Sequence, residues 1–293
     1  MDPKSIGPQQ ALHEDNRLSW NEATRAHNSH KGDQAEFFRN GGTTLRPEEI
    51  GLLGDVHGRT LLHLLCNSGN DTLSVARLGA TVTGVDISDE AITFARKLSE
   101  ESGIPATFER GDVFEWLADA AERRVTYDIV YSSYGVVHWI TDLDVWMSGI
   151  ARVLTLGGYF VLVDFHPVER MFDREWNHTG SYFPPDERGR VNTLAEGVID
   201  YVARTPGRLT PFDYQTGVEN FKNPQPAHTI SWGLGEMVTA VAEAGLRLEI
   251  LREYPHTIAH RFSRMREIDH YRTLPPEDVP SVPLLYGLRA RKS

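Results

Sequence analysis

The sequence predicts an open α/β fold around a largely parallel sheet. Three observations carry that expectation. From Thr60 onward, apolar runs of strand length alternate with helical stripes. Acids stand at or just past the ends of several of those runs, as at Asp86, Asp112 and Asp164. No apolar stretch approaches the roughly 20 residues of a membrane span.

The elements follow in order. The first 50 residues are polar, with a partial helical stripe at Trp20, Ala23, His27, Ala35 and Phe38 that Gly41-Gly42 ends. Thr60 to Cys66 is the first strand, and Asp71 to Leu78 a helix with Leu73, Ala76 and Leu78 toward a core. Thr81 to Asp86 is a second strand, rich in β-branched residues. Ser88 caps the next helix, Asp89 and Glu90 in its first turn suit its dipole, and Gly103 stops it. Ala106 to Glu109 and Tyr127 to Ser133 are the third and fourth strands. Leu143, Trp146, Ile150, Val153 and Leu154 form a helical face closed by Gly157-Gly158, and Tyr159 to Phe165 is the fifth strand. Residues 167–230 break this rhythm with Pro184-Pro185, Pro206, Pro211, Pro224, Pro226 and unperiodic aromatics, and read as an insertion. A helix from Leu234 to Ala244 and strands at Arg247–Tyr254 and Leu284–Arg289 complete the chain.

Composition narrows the function. The 293 residues carry 30 Lys and Arg against 41 Asp and Glu, a net charge of −11. That balance disfavours a general nucleic-acid binder, which needs basic surface to neutralise phosphates. A hydrophobic content of 40% disfavours a disordered chain. The single cysteine, Cys66, excludes an intrachain disulfide and a multi-cysteine zinc site, and the histidine spacings do not form a metal-binding helix motif. With no basic segment leading an apolar core at the N-terminus, a soluble cytoplasmic protein with no membrane partner is expected.

In open α/β sheets, ligands bind beyond the carboxyl ends of the strands. The first strand runs into Asn67-Ser68-Gly69-Asn70-Asp71-Thr72, a turn that exposes backbone N–H groups at a helix start. Alone it equally describes an ordinary βα turn. Asp86 ends the second strand, where a carboxylate can accept both ribose hydroxyls of an adenosine, or simply sit at the helix N-terminus. Asp112 ends the third, where it can accept from an adenine amine or serve as a turn residue. The three features together are more specific than any one. The absence of a Gly-x-Gly-x-x-Gly turn argues against a nicotinamide oxidoreductase.

With the Gly69 turn, Val85-Asp86-Ile87-Ser88, Gly111-Asp112-Val113, Tyr127-Asp128-Ile129-Val130 and Leu156-Gly157-Gly158, the chain resembles the class I S-adenosylmethionine-dependent methyltransferases, nearest the bacterial small-molecule type. The resemblance covers roughly residues 58–166 and 230–292. It implies a Rossmann-like sheet of seven strands, the last antiparallel, with S-adenosylmethionine as cofactor, S-adenosylhomocysteine as its product and no metal. It places His63, Asn67, Gly69, Thr72, Asp86, Ile87, Asp112, Val113 and Ser133 around the cofactor. His63 stands where the family has an acid, and Leu65 and Asn67 where it has glycines. Side chains of Asn67, Ser68 and Thr72 could supply hydrogen bonds to the methionine end instead, or cofactor affinity could be low or absent. The same departures admit a non-catalytic metabolite-binding or scaffolding protein on this fold.

The resemblance also sets Tyr131 to Trp139 toward the sulfonium and the acceptor. This stretch lacks the Asn-Pro-Pro-Tyr sequence of enzymes that methylate nucleobase amines. His138 is the first candidate base, since an imidazole titrates near working pH; Tyr134 could hydrogen-bond the acceptor, and His166 and His228 are the alternative bases. Trp20, His27, Phe38 and Trp139 are candidate substrate contacts. Residues 1–57 read as an N-terminal helical lid on a methyltransferase domain, 58–293, with 167–230 as a cap insertion. The aromatics of lid and cap favour a small aromatic or heteroaromatic acceptor, phenol- or indole-like, methylated on O, N or C, as in natural-product biosynthesis. Exchange of lid or cap between subunits would give a homodimer.

Overall fold

The computed structural model describes residues 8–184, 190–204, 212–258, 261–269 and 272–293. The breaker residues Pro185, Pro206 and Pro211, and the N-terminus through Gly7, lie outside those ranges. Three helices lead: α1 (Pro8–Ser29), α2 (Gln34–Arg39) and α3 (Pro47–Leu53). The alternating part follows as β1 (Thr60–Leu64), α4 (Asn70–Arg77), β2 (Thr81–Asp86), α5 (Asp89–Ser102), β3 (Thr107–Arg110), α6 (Val113–Glu122), β4 (Tyr127–Ser133), α7 (Leu143–Val153) and β5 (Leu154–Phe165). A looser stretch holds β6 (Val191–Leu194), α8 (Tyr201–Arg204) and β7 (Ala227–Ile230). The chain closes with α9 (Leu234–Glu243), β8 (Leu246–Tyr254), β9 (Arg266–Glu267), β10 (Thr273–Leu274) and β11 (Leu285–Lys292).

Seven strands form one sheet in the order β3-β2-β1-β4-β5-β11-β8. The pairs from β3 through β5 are parallel, and β11 runs antiparallel to both β5 and β8. This is the expected seven-stranded architecture, with its last strand inserted antiparallel. Both faces are covered, which explains why the strands read as nearly continuous apolar runs. Alternate residues divide between the faces. Leu62, Val130, Phe160 and Leu162 pack with Leu117, Trp146, Ile150 and Met237 of α6, α7 and α9. Leu61, Ile129, Val161 and Val163 pack with Leu52, Leu53 and Val75 of α3 and α4.

Side-chain caps set the helix starts. Ser88 Oγ accepts from Ala91 N at 3.1 Å, and Asp142 from Val145 N at 3.0 Å. Asp112 caps α6, a helix the sequence pattern did not mark, by accepting from Phe114 N at 2.9 Å. One boundary differs from expectation. Gly157-Gly158 does not end a helix: α7 stops at Val153 and β5 begins at once. The pairing with β4 slips between Tyr127 and Ile129, and the glycines occupy that irregularity. Gly157 has φ +76°, and a Cβ on Gly158 would lie 2.9 Å from the Asp128 carbonyl oxygen.

The N-terminal helix and the 167–230 segment interlock. Asn223 Nδ2 donates to the Ser19 and Val198 carbonyls, each at 2.9 Å. Asn16 exchanges two hydrogen bonds with the His228 backbone, at 2.6 and 2.9 Å. Nε2 of His30 lies 3.0 Å from Asp200. Among the described residues, no helix is long and apolar enough to cross a membrane.

Candidate active site

The strand order reverses between β1 and β4, and such a switch point opens a crevice at the carboxyl ends. A cavity of about 690 Å³ lies there, walled by strand ends on one side and by α1, the 167–230 segment and the chain after β8 on the other. A second cavity of about 190 Å³ shares Lys31, Cys66, Asn67, Asp71 and Tyr134 with it.

The sheet side carries most of the expected cofactor residues: His63, Asn67, Asp86, Ile87, Asp112, Val113 and Ser133 all line the larger cavity. Asp86 accepts from Asn67 N at 2.8 Å and Ser88 N at 2.9 Å, so two backbone amides fix its carboxylate. Burial raises its pKa. Asp112 is engaged more fully, since His13 Nδ1 of α1 lies 2.6 Å from its Oδ2. Burial opposes its charge, but His13 and the α6 amides hold its pKa below the usual value. The His13 ring stacks on Phe114 with centroids 5.4 Å apart, and its Nε2 lies 2.9 Å from Thr141 Oγ1. His63 places Nδ1 2.8 Å from Thr72 Oγ1, and burial lowers its pKa to about 3, so it is neutral.

Two expected cofactor residues serve packing instead. Gly69 does not line the cavity; it takes φ +77°, and a Cβ there would meet the Phe108 ring at 2.6 Å and Ala95 at 2.9 Å. Its missing side chain admits protein. Thr72 is fully buried behind the wall, against His63. Asn67 reaches the cavity, but its Oδ1 already accepts from Ser68 N at 2.7 Å.

The turn after β4 is built by Asp164. Its buried carboxylate accepts from Val136 N at 3.1 Å, Val137 N at 2.7 Å and Gly135 N. Three amides drawn to one acid hold the turn that presents His138 and Trp139 to the cavity. His138 makes no hydrogen bond among the described residues. Burial, with the positive charges of Arg261 and Arg170, lowers its pKa to about 3. Tyr134 also lines the cavity, but its hydroxyl donates to Glu49 at 3.1 Å, so its ring is wall rather than acceptor partner.

The other two candidate bases are elsewhere. His166 caps the 3₁₀ turn Pro167–Met171, accepting from Val168 N at 3.1 Å, and its Nε2 lies 2.9 Å from Glu253. His228 pairs with Asp15 of α1 at 2.9 Å. Neither lines the cavity. His166 directly follows β5 and His228 lies within β7 of the separate β6–β7 pair, and the side chains of both turn to local partners. Of the candidate substrate contacts, Trp20, His27 and Trp139 line the cavity, with Trp20 edge-on to Trp139 at 5.6 Å. Burial lowers the His27 pKa to about 4. Phe38 is buried with Leu73, Ile92 and Phe108 instead, because α2 packs on α5.

Several lining residues carried no sequence signal. Lys31 follows α1, Arg174 and Arg204 belong to the 167–230 segment, and Arg261 follows β8. Burial brings the Lys31 ammonium down to about 8, against the favourable charges of Asp71 and Asp200. Asp71 accepts from Ser133 Oγ at 3.2 Å and from Thr44 Oγ1.

This donor set fits S-adenosylmethionine. Acids end β2 and β3 beside the apolar Ile87 and Val113, and an ammonium and a carboxylate, Lys31 and Asp71, complement a zwitterionic methionine end. The volume is within the ordinary range for a small-molecule site.

A family model described as a methyltransferase domain matches residues 56–213. A ubiquinone biosynthesis O-methyltransferase of Rhizobium leguminosarum bv. trifolii is 36% identical over 103 residues, 35% of this chain and 39% of that protein. A fatty-acid O-methyltransferase of Mycolicibacterium smegmatis is 31% identical over 115 residues, 39% of each chain. The chain thus spans about two fifths of the curated relatives it matches. Among solved structures, the CcbJ methyltransferase from Streptomyces caelestis aligns over 95% of this chain and 99% of its own, with TM-score 0.56 and 13% identity. An S-adenosylmethionine dependent methyltransferase from Mesorhizobium loti aligns over 86% and 99%, with TM-score 0.53 and 17% identity. At such identities these two structures speak to the fold, whereas the family model covers more than half of the sequence, including the Gly69 turn, Asp86, Asp112 and the Asp164 turn. The chain belongs to the class I S-adenosylmethionine-dependent methyltransferases.

Proposed function

We propose that the protein transfers a methyl group from S-adenosylmethionine to a small aromatic or heteroaromatic acceptor, with His138 as the proton-accepting group. When bound, S-adenosylmethionine supplies a methyl group already activated by its cationic sulfur. What remains for the protein is binding, alignment and removal of a proton where the acceptor carries one. Asp86 would accept from the ribose hydroxyls, Asp112 from the adenine amine, and Lys31 and Asp71 would hold the carboxylate and ammonium of the methionine end.

The observation that carries this reading is the shared cavity. His138 faces the same space as Asp86 and Asp112, with Trp20, Trp139, Phe165 and Tyr201 around it. Rings on these walls give a planar acceptor apolar contact, and the neutral imidazole can accept a hydrogen bond from a phenol O–H or an indole N–H, although it does not titrate near working pH as an ordinary imidazole would, because burial and the Arg261 and Arg170 charges oppose its protonation. Asp164 acts through the turn it holds, as a positioning residue for His138. In this reading, residues through His57 act as a lid and 167–230 as a cap, both excluding water from the cavity.

The test is a methyl-transfer screen over phenols, indoles, amines and aliphatic carboxylates, with product mass and methyl position determined. Methylated phenols or indoles support the reading. Turnover confined to aliphatic acceptors would remove the aromatic assignment.

A further inference from the structure

The charges lining the cavity are segregated. Its three carboxylates, Asp71, Asp86 and Asp112, all belong to the strand-end side. Among the described residues, its guanidiniums, Arg174, Arg204 and Arg261, all come from the segments opposite, and no Asp or Glu lines that half. We infer that the acceptor carries an oxyanion, a carboxylate or a phosphate, seated on Arg174, Arg204 and Arg261. This rests on the methyl-transfer reading of the same cavity and narrows its substrate class.

Exposed arginines on an acidic protein ordinarily find carboxylate partners. Arg174 and Arg204 have none: their side chains make no ion pair or hydrogen bond among the described residues. Arg261 has one, its Nε lying 2.9 Å from Glu169 Oε2, and its guanidinium stands 5.3 Å over the Phe165 ring. The contact at Nε leaves the Nη groups for a second anion. A chain of net charge −11 repels anions over most of its surface, so an anionic acceptor needs a local positive pole to enter. Guanidinium groups serve this role well, since they meet carboxylate or phosphate through two parallel hydrogen bonds.

The pole is also coupled to the reacting end. The Arg261 charge weakens His138 as a base, and Arg204 and Arg261 both act on the Tyr201 phenol. The basic pole, the aromatic walls and the imidazole therefore share one space. An oxyanion on Arg261 offsets part of the charge that opposes protonation of His138, so the acceptor would improve its own base.

The test uses matched pairs on the full-length protein: 4-hydroxybenzoate against 4-hydroxybenzamide, and indole-3-acetate against indole-3-acetamide. Each is titrated calorimetrically into the S-adenosylhomocysteine-loaded protein and assayed for methylation with S-adenosylmethionine. Benzoate against phenyl phosphate separates the two oxyanions. The acids should bind at least about tenfold tighter than their amides, and added salt should shrink that ratio. Arg174→Gln and Arg204→Gln should bring it toward one while leaving S-adenosylhomocysteine affinity unchanged. Equal binding of acid and amide, no binding of any member at millimolar concentration, or full discrimination in both variants would overturn the inference. Methylation of neutral phenols or indoles as efficiently as acids removes the oxyanion and keeps the methyl-transfer reading. Arginine-dependent acid binding with no methylated product does the reverse.

Discussion

Asp86 ends β2 and Asp112 caps α6 just past the neighbouring β3, yet they are held differently. Two backbone amides fix Asp86, whereas Asp112 is shared between the α6 N-terminus and His13. Asp86→Ala should therefore weaken S-adenosylhomocysteine binding at least tenfold in a folded protein; unchanged affinity removes Asp86 from the site. His138→Ala should leave that affinity alone and lower kcat by about 10²-fold or more, the usual contribution of a general base. A near-normal rate at saturating acceptor excludes it. Lys31 gives a pH dependence. Its ammonium is charged below about pH 8 and neutral above. If it holds the cofactor carboxylate, affinity falls as pH rises through that value, by up to tenfold per pH unit. Lys31→Met should bind more weakly at pH 7 and lose that pH dependence. Strand-end position made Asp86, Asp112 and His138 legible in the sequence. It could not say which way a side chain turns, so His166 at the end of β5 reads as a base although Glu253 takes its imidazole, and His228, offered by the resemblance, is taken by Asp15. Lys31 and the arginines come from segments without periodicity, where no pattern aims a side chain.

At the scale of elements, the strand–helix alternation was readable because burial on both faces leaves long apolar runs. The functions of turns were less so. Gly69 looked like a ligand approach and is a packing site under Phe108. Gly69→Ala should destabilise by about 1–3 kcal/mol through its left-handed backbone and the ring it displaces. Greater loss of cofactor affinity than of stability would return it to the ligand. Phe38 failed for a related reason: an aromatic in a polar stretch reads as a lid contact, but α2 lies on α5 and buries it. The contacts of α1 with residues 167–230 join sequence-distant segments that a local pattern does not connect. Asn223→Ala would leave the Ser19 and Val198 carbonyls without their donor, at a cost of about 1–3 kcal/mol. If this junction shapes the acceptor side, KM for the acceptor rises more than Kd for S-adenosylhomocysteine. Equal change in both, or in neither, argues against that role.

Across the whole molecule, one half of the cavity is supplied by the sheet and the other by the chain's least regular segments. The strand-end half was legible in the sequence, whereas the half that brings Arg174, Arg204, Arg261 and α1 opposite it depends on tertiary placement. In the proposed function this cavity holds S-adenosylmethionine. Calorimetric titration of S-adenosylhomocysteine into the full-length protein and its Asp86→Ala variant tests it most directly. One saturable site is expected in the native protein, weakened at least tenfold in the variant. No binding of S-adenosylhomocysteine to the native protein at millimolar concentration would contradict it.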